Sequence, residues 1–120
     1  MSAVFVFGSN LAGNHAGGAA RHAVEQWGAI MGQGVGRQGQ SYAIPTLDGK
    51  FGHIGIGMIG RYVREFLAYA AANPGDSFLV TAIGCGIAGM DPAEIAPLFA
   101  GATENVFLSE KLVAALRQKG

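Results

Sequence analysis

A chain of 120 residues, 50% hydrophobic and 13% charged, is long enough to bury a core, and the sequence predicts a single domain over residues 1–120. Eight basic side chains balance eight acidic ones, so a partner held mainly by phosphate neutralisation, such as duplex nucleic acid, is not expected. The one cysteine excludes an internal disulfide and a cysteine-rich zinc site. Short apolar runs and the lack of a basic leader predict a cytosolic protein with no membrane span.

The chain begins with a strand, a loop of small residues and a helix. Residues 3–7 form an unbroken β-branched and aromatic run, which is typical of a strand covered on both faces. Residues 8–18 are rich in glycine, alanine and asparagine, and a helix is predicted from Gly18 to Trp27 because its alanines share one face. Such a loop leaves main-chain N–H groups free beside a helix N-terminus, which favours the binding of an anion.

The middle of the chain is punctuated by glycine. Little regular structure is expected over Gly28–Gly39, which is either a flexible connector or a second wall where the main chain approaches a ligand. A short strand is predicted at Ser41–Thr46, followed by a loop with a turn signal at Asp48–Gly49. An amphipathic helix begins at Met58 or Ile59, and Asn73-Pro74-Gly75 ends it.

The second half repeats the order of strand, glycine-rich turn and helix. A buried strand is predicted at Ser77–Ile83, and it runs directly into the glycine-rich segment 84–90. Asp91, followed by proline and then an acid at the third helical position, signals a helix that extends to about Phe99. A last short strand is expected at Glu104–Leu108, with Ser109 capping a final helix.

This alternation predicts an α/β fold with a mostly parallel or mixed central sheet. Two strands, the first and the one that ends near Ile83, lead into glycine-rich turns followed by helices. Ligands of open α/β sheets bind beyond the carboxyl ends of the strands, so both loops open onto one crevice if these strands are neighbours. Neither loop has the spacing of a dinucleotide-binding fingerprint or a Walker lysine, and a P-loop is not predicted.

Two segments resemble the ligand loops of macro domains. They are Gly-Ser-Asn-Leu-Ala-Gly-Asn-His-Ala-Gly-Gly-Ala-Ala at 8–20 and Ile-Gly-Cys-Gly-Ile-Ala-Gly-Met-Asp-Pro at 83–92, with Ser41–Thr46 as a strand between them. The likeness covers nearly the whole chain and is greatest to small macro-like proteins of phage and bacterial genomes. It implies a three-layer α/β/α sandwich, for which this chain is compact and short, and the binding of ADP-ribose or a related nucleotide.

The resemblance also implies a set of ligand-binding residues. Asn10 matches the asparagine that faces the terminal ribose, Gly17 and Gly18 match the first phosphate loop, and residues 84–89 match the loop that wraps the diphosphate. The predicted ligand-binding residues are Gly8, Ser9, Asn10, Gly13, His15, Gly17, Gly18, Gly84, Cys85, Gly86, Ile87, Ala88 and Gly89. The chain departs from the family at Ala88, where an aromatic residue is common, and in having no acidic residue before the first strand to recognise adenine.

Several of these side chains have simpler alternatives. Asn10 either contacts the ligand or hydrogen-bonds its own loop, as asparagine does in turns. His15 is a phosphate donor, a base near neutral pH, or a plain loop histidine. Cys85 is better explained as a small space-filling residue than as a reactive thiolate. His22 and His53 share no metal-ligand spacing with each other or with His15, so no metal and no cofactor are predicted.

Three functions follow from these observations. The favoured one is a binding module that captures an ADP-ribose-type nucleotide, including a cyclic one, and thereby sequesters it, with no catalytic residue. The alternative is an ADP-ribosyl hydrolase in which Asn10 orients a water and His15 assists, although hydrolysis needs a positioned proton acceptor and neither loop core holds a carboxylate. The third is a protein-interaction or assembly role without a small ligand.

Overall fold

The computed structural model describes residues 2–86 and 88–119, which form an α/β sandwich with a five-stranded sheet. In chain order the elements are β1 (Ser2–Asn10), α1 (Gly18–Gln26), β2 (Gly36–Gln38), β3 (Ser41–Leu47), α2 (Ile56–Ala72), β4 (Asp76–Val80), α3 (Pro92–Ile95), β5 (Val106–Leu108) and α4 (Glu110–Lys119). A short 3-10 helix, Ala96–Phe99, continues α3. Within the described residues, no helix combines the length and apolarity that crossing a bilayer requires.

The sheet has the strand order β2-β3-β1-β4-β5 and is mostly parallel, as the sequence predicts. Strand β1 lies at its centre, where Phe5 pairs with Ser41 of β3 on one side and with Leu79 of β4 on the other. Strand β5 extends the parallel order beyond β4, whereas β2 pairs antiparallel with β3. The carboxyl ends of β3, β1 and β4 therefore lie next to one another at one edge of the sheet.

Alternation of side chains along β1 gives the sheet two buried faces. Val4 and Val6 belong to the larger core cluster, which α2, the 3-10 helix and α4 complete. Phe66 of α2 lies at the centre of that cluster, with its ring centroid 5.0 Å from that of Tyr42 and 5.5 Å from that of Phe78. Phe7 points to the other face, where it forms a smaller cluster with the buried alanines of α1. Helices on both faces make the three layers.

Several predicted element boundaries differ from the observed ones by one to three residues. Helix α2 begins at Ile56, two or three residues before the predicted start at Met58 or Ile59. Strand β4 ends at Val80 instead of Ile83. The N–H and the hydroxyl of Thr81 still donate to the Val6 carbonyl, at 3.1 and 2.8 Å, and the chain then turns over residues 81–83. The main-chain N–H of Ile83 donates to the Thr81 carbonyl at 2.7 Å within that turn.

The two predicted helix caps have different outcomes. Asp91 is confirmed as an N-cap, since its Oδ1 accepts the N–H of Ala93 at 2.8 Å. The helix becomes 3-10 at Ala96, near Pro97, which has no N–H to donate to the helix ladder. Ser109 stands at the predicted N-cap position directly before α4, where its carbonyl accepts the N–H of Val113 at 3.0 Å. Its hydroxyl has no hydrogen-bond partner in the described part of the chain and so adds no side-chain cap.

Candidate functional site

A cavity of about 550 Å³ lies at the carboxyl edge of the sheet. Its floor comes from the ends of β1 and β3, including Ser9, Asn10 and Thr46. Two connections contribute to its wall: the first loop (residues 11–17, between β1 and α1) and the second loop (residues 81–86 and 88–91, between β4 and α3). The sequence-based expectation that both glycine-rich turns reach one crevice matches this geometry, because β1 and β4 are neighbours.

The first turn of α1 borders the cavity without a competing acceptor. Gly17 occupies the N-cap position in extended conformation and has no side chain that could accept a hydrogen bond from the first turn. The first turn itself contains no acidic residue. Gly17, Gly18, Ala19 and Ala20 all line the cavity. The first N–H groups of a helix have no acceptor four residues earlier, and they carry the positive end of its dipole. This side of the cavity is therefore suited to an anion.

The second loop lies directly against the end of β1. A Cβ added at Gly8 would stand 3.2 Å from the main-chain nitrogen of Gly84, so the two segments abut main chain to main chain. Gly84 has a φ of +73° and is held by a 2.7 Å bond that its carbonyl accepts from the N–H of Met90. Gly86 and Ala88 line the cavity, and a Cβ at Gly86 would meet nothing within 4 Å.

Asn10 forms part of the cavity floor, but its amide is engaged within the first loop. Its Nδ2 donates to the carbonyl of Asn14 at 2.9 Å, and its Oδ1 accepts the N–H of the same residue at 3.0 Å. The residue is buried, and Asn14 also lines the cavity. The alternative in which Asn10 bonds its own loop is therefore the one observed, and its contact with a ligand stays a prediction.

His15 lies beneath the first loop and does not line the cavity. Its side chain is 1% exposed and stands edge-on to Phe7, with ring centroids 5.2 Å apart. Its Nε2–H donates to the carbonyl of Gln33 at 2.9 Å, and the Oε1 of Gln38 lies 3.2 Å from the same nitrogen. The predicted role of His15 as a ligand contact is not supported by this placement, because the ring is part of a buried polar network.

The glycine-rich segment that follows α1 supports the first loop. A Cβ at Gly34 would overlap the carbonyl oxygen of Asn10, and a Cβ at Gly13 would overlap the main chain of Gly32. Gly13 is thus a packing residue that does not line the cavity. The segment also contributes β2, which the sequence does not predict, so it is neither a flexible connector nor a wall of the cavity.

Three other predicted residues in the second loop are not part of the described wall. Cys85 is partly buried, its Sγ donates to the carbonyl of Ile83 at 3.5 Å, and burial raises the pKa of its thiol. This environment favours the space-filling interpretation of Cys85. Gly89 donates to the carbonyl of Gly86 at 3.0 Å and does not line the cavity. Ile87 lies outside the described residues.

The described wall of the cavity carries no ionisable side chain. Its residues are glycine, alanine, serine, threonine, asparagine, leucine, isoleucine and one phenylalanine. Among residues 2–86 and 88–119, no three histidine, cysteine, aspartate or glutamate side chains come together as a metal site. The polar groups that face the cavity are thus hydroxyls, amides and main-chain groups. An anion bound here would be held by neutral donors.

Phe51 is a wall residue that the sequence does not reveal. It belongs to the Phe51 loop (residues 48–55, between β3 and α2), lines the cavity and is 48% exposed. The Asp48-Gly49 turn signal predicts the loop but not its position at the cavity. Thr46 and Leu47 were missed for the same reason, since only the pairing of β3 with β1 brings them there.

Comparison of the chain with protein-family models, with curated proteins and with solved structures gives no match.

Proposed function

We propose that this chain binds an ADP-ribose-type nucleotide, with the diphosphate between the first turn of α1 and the second loop. One observation carries the proposal: main chain from both segments borders a single cavity whose described wall has no charged side chain. The resemblance of residues 8–20 and 83–92 to macro-domain ligand loops supports the same class of ligand.

The geometry suits a diphosphate better than a single weakly held anion. A charge near an exposed helix N-terminus gains only about 0.3–1 kcal/mol, so several donors must converge before a ligand is retained. The first turn of α1 and the loop around Gly86 line the same cavity from different elements, which supports a site where donors from both would meet one ligand. The cavity volume of about 550 Å³ also falls within the range of roughly 300–1,000 Å³ that is usual for small-molecule sites.

Binding without chemistry is favoured over hydrolysis. A hydrolase needs a proton acceptor within hydrogen-bond reach of the attacking water. The described wall offers no carboxylate or imidazole, and the Nε2 of His15 is engaged by Gln33. Capture of the nucleotide is therefore the proposed activity, and sequestration of a nucleotide is its simplest use.

Calorimetric titration with ADP-ribose tests the proposal, with cyclic ADP-ribose and ADP titrated in parallel. We expect saturable binding with a micromolar constant, which corresponds to about −8 kcal/mol. Binding of the cyclic compound in preference to the linear one would define the ligand more narrowly. Absence of heat with all three nucleotides would contradict the proposal and leave the protein-interaction role.

A second measurement separates a binder from a hydrolase. ADP-ribose and an ADP-ribosylated protein are incubated with the chain for many hours, and the products are resolved by chromatography. We expect the substrates to be recovered unchanged. Release of product that disappears in a folded Asn10→Ala variant would overturn the preference for binding alone.

A further inference from the structure

Phe51 has an unusual main-chain conformation for its residue type. Among the described residues it is the only one other than glycine with a positive φ, which is 61°. A side chain with a Cβ is disfavoured in this left-handed region, and such strain persists where the surrounding structure imposes it, often at functional sites. Because its ring is 48% exposed, burial in the core does not account for the position.

The Phe51 loop is closed by hydrogen bonds among its main-chain groups and the carboxylate of Asp48. The Oδ1 of Asp48 accepts the N–H of Lys50 at 2.7 Å and the N–H of Gly52 at 2.8 Å. The N–H of Asp48 donates to the Gly52 carbonyl at 2.8 Å, and Leu47 forms an antiparallel bridge with His53. The loop is therefore a closed turn that presents Phe51 in a fixed position.

Phe51 and the second loop follow strands that lie on either side of β1. Phe51 follows β3, whereas Gly86 follows β4, and β1 lies between those two strands. Neighbouring strands are about 5 Å apart, so the strands that lead into these two flanks, β3 and β4, are separated by roughly 10 Å. Phe51 is the only aromatic residue in the described wall, whose other residues are small, polar or aliphatic.

A half-exposed aromatic ring at this place matches the shape and chemistry of a nucleobase. Bases stack on aromatic side chains because every base has a flat π face, and a phenylalanine that is 48% exposed has surface left for this contact. A ligand whose diphosphate lies between α1 and Gly86 would extend its aromatic end across β1 toward the Phe51 flank. No acidic side chain in the described wall is then needed to place the base.

We propose that the ring of Phe51 is the stacking platform for the nucleobase of the bound ligand, so that the site selects nucleotides over sugar phosphates. This inference rests on the proposed nucleotide binding. It assigns base recognition to the loop after β3, and phosphate recognition remains with the first turn of α1 and the second loop.

The test compares ADP-ribose affinity across substitutions at Phe51. Phe51→Leu removes the ring and is expected to weaken binding by about 5- to 100-fold, whereas Phe51→Tyr keeps a stacking face and is expected to stay within about twofold. Phe107 is 52% exposed on β5 and does not line the cavity, so Phe107→Leu is a matched control that should leave the affinity unchanged.

Phe51→Gly gives a second, independent readout. Glycine relieves the left-handed strain, so this variant is expected to melt at the wild-type temperature or above it while binding ADP-ribose more weakly. Wild-type affinity in both Phe51→Leu and Phe51→Gly would overturn the stacking proposal while leaving nucleotide binding intact. A wild-type chain that gives no binding heat would instead overturn the proposed function itself.

Discussion

Gly86→Val is the substitution that best separates ligand binding from folding. Gly86 lines the cavity, is not among the glycines with positive φ, and a Cβ built there meets nothing within 4 Å. The valine should therefore fit the folded chain, with a change in the free energy of unfolding within about 0.5 kcal/mol, or about 2 °C in melting temperature. Its branched side chain would project into the space proposed for the diphosphate.

The expected cost to binding is larger. If the side chain displaces the diphosphate enough to lose one hydrogen bond to a charged group, about 1.5–3 kcal/mol is lost, which corresponds to roughly 10- to 100-fold in affinity. Calorimetric titration with ADP-ribose measures this loss, and a thermal melt measures stability in the same preparation. Gly75→Val is the matched control, because Gly75 also has open space and no positive φ but precedes β4 at the opposite edge of the sheet.

The two variants should diverge. Wild-type affinity in Gly75→Val, together with weak binding in Gly86→Val at an unchanged melting temperature, is the predicted pattern. Normal binding of ADP-ribose by Gly86→Val would contradict this prediction. An equal loss of affinity in Gly75→Val would contradict it as well.

Three further predictions concern the supporting structure. Gly34→Ala should lower the melting temperature measured by circular dichroism, because the added methyl group would overlap the carbonyl oxygen of Asn10. An unchanged melting temperature would show that the first loop can shift without loss of stability. Hydrogen bonds from the N–H groups of Gly52 and Lys50 lower the pKa of Asp48. The ionised carboxylate therefore stabilises the folded chain above the ordinary aspartate pKa, and this stabilisation is lost as the pH falls through the lowered pKa. Melts of the wild type and Asp48→Asn should therefore differ at pH 7 and converge once the pH has fallen below the lowered pKa; a constant difference down to acid pH would contradict this. Burial raises the pKa of Cys85, so alkylation by iodoacetamide at pH 7.5, followed by mass spectrometry, should be slower than for free cysteine, and faster modification would indicate an activated thiolate.

Strong local patterns predicted most of the fold. The apolar run at residues 3–7, the periodic helix after Ile56 and the Asp91-Pro92 start are each encoded within a few neighbouring residues. Strand β2 escaped prediction because glycine and polar side chains carry no strand signal, and its pairing with β3 is what makes it a strand. The early end of β4 at Val80 also escaped prediction, because the apolar run continues to Ile83 while the chain turns after the last bond to Val6, which is remote in sequence.

The candidate site was only partly visible in the sequence for a related physical reason. Glycine-rich turns after strands indicate where the chain leaves a sheet, so the main-chain segments near Gly18 and Gly86 could be anticipated. Whether a side chain in such a loop faces outward or inward is set by packing. His15 turns toward Gln33 and Phe7, and Phe51 reaches the cavity from a loop with no distinctive motif.

The neutral wall of the cavity has an electrical consequence. The chain has a formal net charge of zero at pH 7, and none of the described wall residues exchanges a proton near that pH. A bound diphosphate would keep its negative charges uncancelled, so the complex as a whole would become an anion. In a native gel run near neutrality, the free chain would scarcely migrate while the occupied chain would move toward the anode, and the nucleotide would thus be the main source of the complex's mobility.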